Sequence, residues 1–210
     1  MEGAGVHREA GMRKYDFLVD TYRTERLKTL GVWSQIPDGR MGFRPEPRAR
    51  TPLEHMVHQC LSEDAWMRSM LGLATTLPAL PAEETRLTFL RHYAASSGER
   101  LSLLESKPES WFEETTKFFD VARTRAWILV RRFTHSAHHR GQLTAYVRSW
   151  GEMLYSTYGP TADTGGLAKD GARVLYRYES VEDLLSKEAH GGARPPLPGP
   201  GASPPTERAT

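Results

Sequence analysis

His135 and His139 stand four residues apart, so on a helix their imidazoles lie one above the other on a single face and can hold one metal ion between them. An i,i+4 histidine pair by itself is ordinary surface chemistry, but Phe133, Ala137 and Gly141 flank this one, which favours a face turned inward. His138 projects about 100° away from either neighbour, toward solvent or a supporting position. Two ligands leave an ion incomplete. The nearest further candidates are His55 and His58, and spacing does not separate them. Of the other histidines, His92 is isolated, and His7 and His190 lie toward the ends of the chain.

Other metal chemistries can be tested against the same letters. No His-Glu-x-x-His occurs, so the zinc-protease pattern is absent, and no Glu-x-x-His occurs, which argues against a paired-carboxylate di-iron bundle. Cys60 is the lone cysteine. It rules out an internal disulfide, a zinc finger or an iron–sulfur cluster, suits a reducing cytoplasm, and reads as a small buried apolar residue. What survives is a mononuclear site of three histidines, which leaves coordination positions open for water or a thiol.

Four helical segments must position these rings. Residues 15–36 have loosely helical apolar spacing and stop at Pro37-Asp38-Gly39. Thr51-Pro52-Leu53-Glu54 combines a capping threonine, a proline at the first helical position and a glutamate that reaches back, so a second helix starts there and carries His55 and His58 to about Leu73. A third is expected from Pro81 to just before Pro108. Residues 108–119, with Trp111, Phe112, Phe118 and Phe119, read as a packed loop or short hairpin. A fourth helix, capped by Asp120 and ending at Trp150 before Gly151, carries the histidine pair. Val174–Tyr178 suggests a short extended piece, and Ser180 caps a last helix from Val181 to Glu188. The tryptophans at 33, 66, 127 and 150 read as core or dimer-interface packing.

The whole is an all-α four-helix bundle, divided as a flexible 1–14, a bundle domain with C-terminal extension over 15–190, and a disordered Pro/Gly-rich tail over 191–210. A formal net charge of +2 supplies little of the attraction that nucleic acid binding needs. The longest apolar run, Ala126–Val130, is too short to span a bilayer, and residues 1–14 lack the apolar run of a signal peptide. The expected setting is cytoplasmic, with no membrane and no nucleic acid partner.

The string His135-Ser136-Ala137-His138-His139-Arg140-Gly141-Gln142 resembles the signature of the DinB/YfiT-like family of metalloenzymes. Thr51-Pro52-Leu53-Glu54, followed by His58, Glu63 and Trp66, is similar to the start of that family's second helix, and Tyr158-Gly159-Pro160-Thr161-Ala162-Asp163 with Gly165-Gly166 to a segment after its fourth. The resemblance covers roughly residues 15–167 and implies a four-helix bundle, often dimeric. It implies His58, His135 and His139 as ligands of one divalent ion, zinc or nickel ahead of iron or manganese, with His55 in a supporting place. Glu63, about 140° round the helix from His58, is not counted as a ligand.

The same resemblance implies a small-molecule substrate and activation of water or of a low-molecular-weight thiol, as in a thiol-dependent transferase. The contrasting expectation is a metal-binding or stress-related protein without turnover. Six arginines and no acid lie between Val121 and Gly151, and Arg132, one turn before His135, is the candidate for binding a substrate anion. Gln142, one turn after His139, could orient that ring.

Overall fold

The structure, a computed structural model, describes residues 13–201. Helices α1 (Asp16–Ser34), α2 (Pro52–Ala65), α3 (Arg86–Glu105) and α5 (Arg125–Ser149) form the bundle, with a short α4 (Glu109–Glu113) before a two-stranded hairpin and α6 (Val181–Glu188) in the C-terminal extension. α1 packs on α3 and α5, and α2 on the same two helices. None of the described helices is long and apolar enough to cross a membrane.

α2 begins as its sequence requires. Thr51 Oγ1 accepts from the Glu54 amide at 3.1 Å, and the Glu54 carboxylate accepts from the Thr51 amide at 2.8 Å. The helix passes at Trp66–Met70 into a π-helical turn and ends at Gly72, whose φ of 68° lies in the left-handed region that glycine enters without a Cβ penalty. α5 closes on Gly151 (φ 76°): the Glu152 amide donates to Val147 O and the Gly151 amide to Arg148 O, which satisfies two terminal carbonyls.

Two helix starts differ from expectation. α3 opens at Arg86, not Pro81, because Thr85 and Thr88 cap each other reciprocally, while Pro81 lies in the preceding loop. α5 opens at Arg125 under Thr124, whose hydroxyl accepts from the Trp127 amide; Asp120 is no cap. Residues 121–124 instead form strand β2 (Val121–Thr124), paired antiparallel with β1 (Thr115–Phe118) and turning at Phe119-Asp120. Pairing gives those backbone groups partners that a first helical turn would leave open.

Ser180 caps α6 as its position suggests, accepting from Asp183 N at 3.1 Å. Residues 174–178 form no named strand, but Leu175 exchanges two hydrogen bonds with Ser156, and Arg177 reaches buried partners at Ser34 O and Glu188. Of the tail read as disordered, residues 191–201 make hydrogen bonds to the body through Ala193, Pro195 and Gly199. The remainder of that tail and residues 1–12 of the N-terminal segment lie outside the described residues.

Two apolar clusters fill the bundle. One gathers Leu30, Trp33, Phe89, Tyr93, Leu143 and Val147; the other Leu18, Tyr22, Met67, Leu101, Ile128 and Phe133. Tyr22 and Tyr93, one from each, both point their hydroxyls at the carboxylate of Glu63, so a polar layer lies where the clusters meet.

Candidate metal centre

The buried stripe of α5 includes Ile128, Arg132, Ser136, His139, Leu143 and Val147, an i,i+4-like repeat that aims three polar side chains at the bundle interior. α2 faces it with His55, Gln59 and Glu63 buried and His58 half-buried. The result brings His58, His135 and His139 together: one ring nitrogen of each lies within 4.8 Å of the others. His135 Nε2 and His139 Nε2 are 3.2 Å apart. With metal–nitrogen bonds of about 2.0–2.1 Å, two ligands on one ion sit about 3.0–3.4 Å apart, so the pair already has chelating separation.

His55 is elsewhere. It is buried with its ring 5.3 Å from that of His139 and 5.8 Å from that of Tyr146, and it does not join the convergent nitrogens. His138 is exposed, while His92 lies near Ala79 O on α3. Cys60 is buried, and desolvation pushes its thiol far above the ordinary range, so it is inert as a ligand or nucleophile.

Burial, the largest cause, holds the three rings neutral. It takes His135 down to about 4 and His139 to about 3, with the positive field of Arg132 and the neighbouring histidine respectively next in size; His58 is lowered by the same desolvation and by Arg50. Neutral imidazole is the form that donates a lone pair to a cation. The donor set therefore fits a divalent ion in nitrogen type, spacing and charge.

The supporting bonds differ between the two α5 ligands. His139 Nδ1 lies 3.0 Å from Gln142 Oε1, an acceptor that holds the proton on Nδ1 and leaves Nε2 bare. His135 Nδ1 lies 3.2 Å from Arg132 Nη1. A guanidinium can only donate, so this contact needs a bare Nδ1 and puts the proton of the neutral ring on Nε2, facing His139. His139 can thus ligate in place, whereas His135 ligates through Nε2 in its other neutral tautomer, with the proton moved to Nδ1 and the Arg132 hydrogen bond given up.

Arg132, expected on a pocket wall, is only 1% exposed. Its donors go to Ser62 Oγ (2.9 Å) and the Glu63 carboxylate (3.4 Å), and Trp66 lies over it at 5.6 Å. Its Nη1 thus faces Ser62 and His135 and its Nη2 faces Glu63. The exposed arginines whose fields act on the rings are Arg50 and Arg131. Trp66, expected in core or interface packing, stacks on His135 with ring centroids 5.4 Å apart and planes 24° from parallel. Its position eight residues after His58 hints at a shared end of α2, but nothing in its spacing shows the stacking.

Glu63 is the hub beneath the centre. Its oxygens accept from Tyr22 of α1 (2.7 Å) and Tyr93 of α3 (3.0 Å), and pair with Arg100 of α3 (3.5 Å) and Arg132 of α5 (3.4 Å). All four bundle helices therefore meet at one carboxylate. Arg132 links that hub to His135.

The DinB family model matches residues 12–166, which is most of the chain and includes all three histidines. The chain belongs to the DinB family. Three solved structures share the fold of this DinB chain at low identity. A DinB-like protein from Bacillus cereus is 18% identical, with a TM-score of 0.59 over 68% of this chain and 97% of its own. A DinB-like protein from Bacillus subtilis, YjoA, is 17% identical, with a TM-score of 0.51 over 65% and 93%. YfiT from Bacillus subtilis, described as a probable metal-dependent hydrolase with an unusual four-helix bundle topology, is 16% identical, with a TM-score of 0.52 over 73% and 94%. No curated protein matches the sequence.

Proposed function

We propose that this DinB protein is a metal-dependent enzyme in which His58, His135 and His139 hold one divalent ion that activates water or a small thiol for attack on a small-molecule substrate. The convergence of three neutral imidazole nitrogens, with no fourth described His, Cys, Asp or Glu in the group, carries this reading. Three protein ligands leave room for an exchangeable one, as catalytic sites do and closed structural sites do not. The ion's chemical contribution is Lewis acidity, which brings the pKa of a coordinated water or thiol toward neutrality. The description of YfiT as a probable metal-dependent hydrolase supports water as one nucleophile. The buried thiol of Cys60 supports the view that, where thiol chemistry occurs, the thiol arrives from outside the chain.

The chain's own residues do the rest. Gln142 fixes the ring of His139, Trp66 fixes the plane of His135, and the Arg132–Glu63 pair anchors the helix face that carries both. Imidazole ligands suit zinc, nickel and iron, so metal identity is read from the purified protein. Metal analysis of tag-free protein should find about one ion per chain, lost in His135→Ala. Metal retained by that variant would overturn the ligand set. Metal lost but no turnover across a panel of esters, amides and thiol–electrophile pairs would favour the non-catalytic alternative.

A further inference from the structure

The β1–β2 hairpin ends in a residue that its local conformation does not favour. Phe119 is the single described non-glycine residue with positive φ, 53°, at the first position of a two-residue turn where glycine is preferred. A side chain there costs steric strain, because its Cβ crowds the following carbonyl oxygen. Burial does not recover that cost, because Phe119 is 64% exposed. An aromatic residue kept both strained and in water points to a role outside the packing of the fold.

Its surroundings connect it to the metal centre. The Phe119 ring lies 6.1 Å from Trp66 and 4.8 Å from Phe118; Phe118 lies 5.1 Å from Trp66; and Trp66 stacks on His135. A continuous aromatic surface therefore runs from a ligand ring out to the hairpin tip, with exposed Val121 beside it. The charge around it is positive. Arg50 and Arg131 are exposed and form no ion pair within 4.0 Å among the described residues; Arg131 stands one turn before His135 on α5, and Arg50 immediately precedes the Thr51 cap of the helix that carries His58, its carbonyl accepting from the Tyr146 hydroxyl of α5. On the hairpin, Asp120 is the single acid against Lys117 and Arg123.

We propose that Phe119, with Phe118 and Trp66, forms the substrate-recognition wall of the three-histidine centre, and that the substrate is an anion carrying a flat apolar group. The proposal rests on the metal-centre reading above. The ring stacks on the wall, the anionic end faces the ion, and Arg50 and Arg131 supply the attracting field.

Two probes that chelate through the same group isolate the wall: acetohydroxamate and benzohydroxamate, titrated calorimetrically into zinc-loaded protein. The phenyl-bearing probe should bind about tenfold more tightly, after correction for free zinc, since covering one ring face is worth a kcal/mol or two. Phe119→Asn tolerates the left-handed conformation and should keep zinc content, acetohydroxamate affinity and thermal midpoint, while the preference falls to within about twofold. Arg131→Gln should weaken both probes by a similar factor. Equal affinity of the two probes for the parent protein, or a preference that survives Phe119→Asn, overturns the wall and leaves the metal centre standing. A Phe119→Asn variant that changes only the oligomeric mass by light scattering also overturns it, in favour of contact with a second copy. Absence of zinc binding by the parent protein, or its persistence in His135→Ala, refutes the centre itself and the wall with it.

Discussion

Two polar clusters share α2 and α5 and are joined through Arg132, yet they are built on opposite terms. Around Glu63, two hydroxyls and two guanidiniums converge on both carboxylate oxygens, every one of these side chains is at most 2% exposed, and both oxygens are filled by protein donors. Around His135, three nitrogens converge with only one another as near partners, at the edge of solvent and beside a partly exposed aromatic surface. A closed polar network holds helices in register, because opening any member strands the others. An unclosed one retains donor capacity for a ligand. The difference separates the part of this interior that organises the fold from the part that can do chemistry.

Glu63→Ala tests the closed side and should have the largest effect. Two tyrosine hydroxyls and two buried guanidiniums lose their acceptor, which should cost about 3–5 kcal/mol of stability by urea unfolding. A loss no greater than that of His139→Ala would erase the distinction between the clusters. His139→Ala tests the open side: affinity for zinc should fall by about 100-fold or more, while the stability of the metal-free protein changes by about 1 kcal/mol at most. Gln142→Ala probes one step further out and should weaken zinc binding about tenfold by releasing the His139 ring, without loss of the site. A variant with unchanged affinity would show that helix packing alone orients that ring.

Acidification supplies the smallest expected effect. Burial holds His55 and His135 at about 4 and His139 at about 3, whereas an unfolded chain titrates its histidines near about 6.5. The unfolded state thus binds more protons throughout that interval, so the stability of the metal-free protein is full above about pH 6.5 and falls as pH drops toward about 4. Discounted for partial exposure, the decline from about pH 7.5 to about pH 5 should be on the order of 1 kcal/mol, and His55→Gln should remove part of it. A stability flat over this range would mean that the rings are more open to water than their burial indicates.

The helix-start chemistry at Thr51-Pro52-Leu53-Glu54 and the glycine end at Gly151 were legible because capping is local: the donors and acceptors lie within a few residues of each other. The same locality misled at Asp120. It is a reasonable cap by type, but Val121–Thr124 finds its partners in Thr115–Phe118, and a strand pairing with nearby residues outweighed one extra helical turn. Pro81 misled likewise, since the Thr85–Thr88 exchange lies further along the chain.

By itself the sequence determined the i,i+4 geometry of His135 and His139, the exclusion of thiolate metal sites, and the family signature on which the choice of His58 rested. Those depend on residue types and on helical spacing, which are properties of short segments. Only the tertiary structure showed that the His58 nitrogen meets those of His135 and His139 while His55 stays apart, that Arg132 pairs with Glu63, and that Trp66 stacks on His135 with Phe119 at the edge of Trp66. Each of these joins residues from different elements, and such meetings are set by how the helices and hairpin pack, which no local spacing encodes.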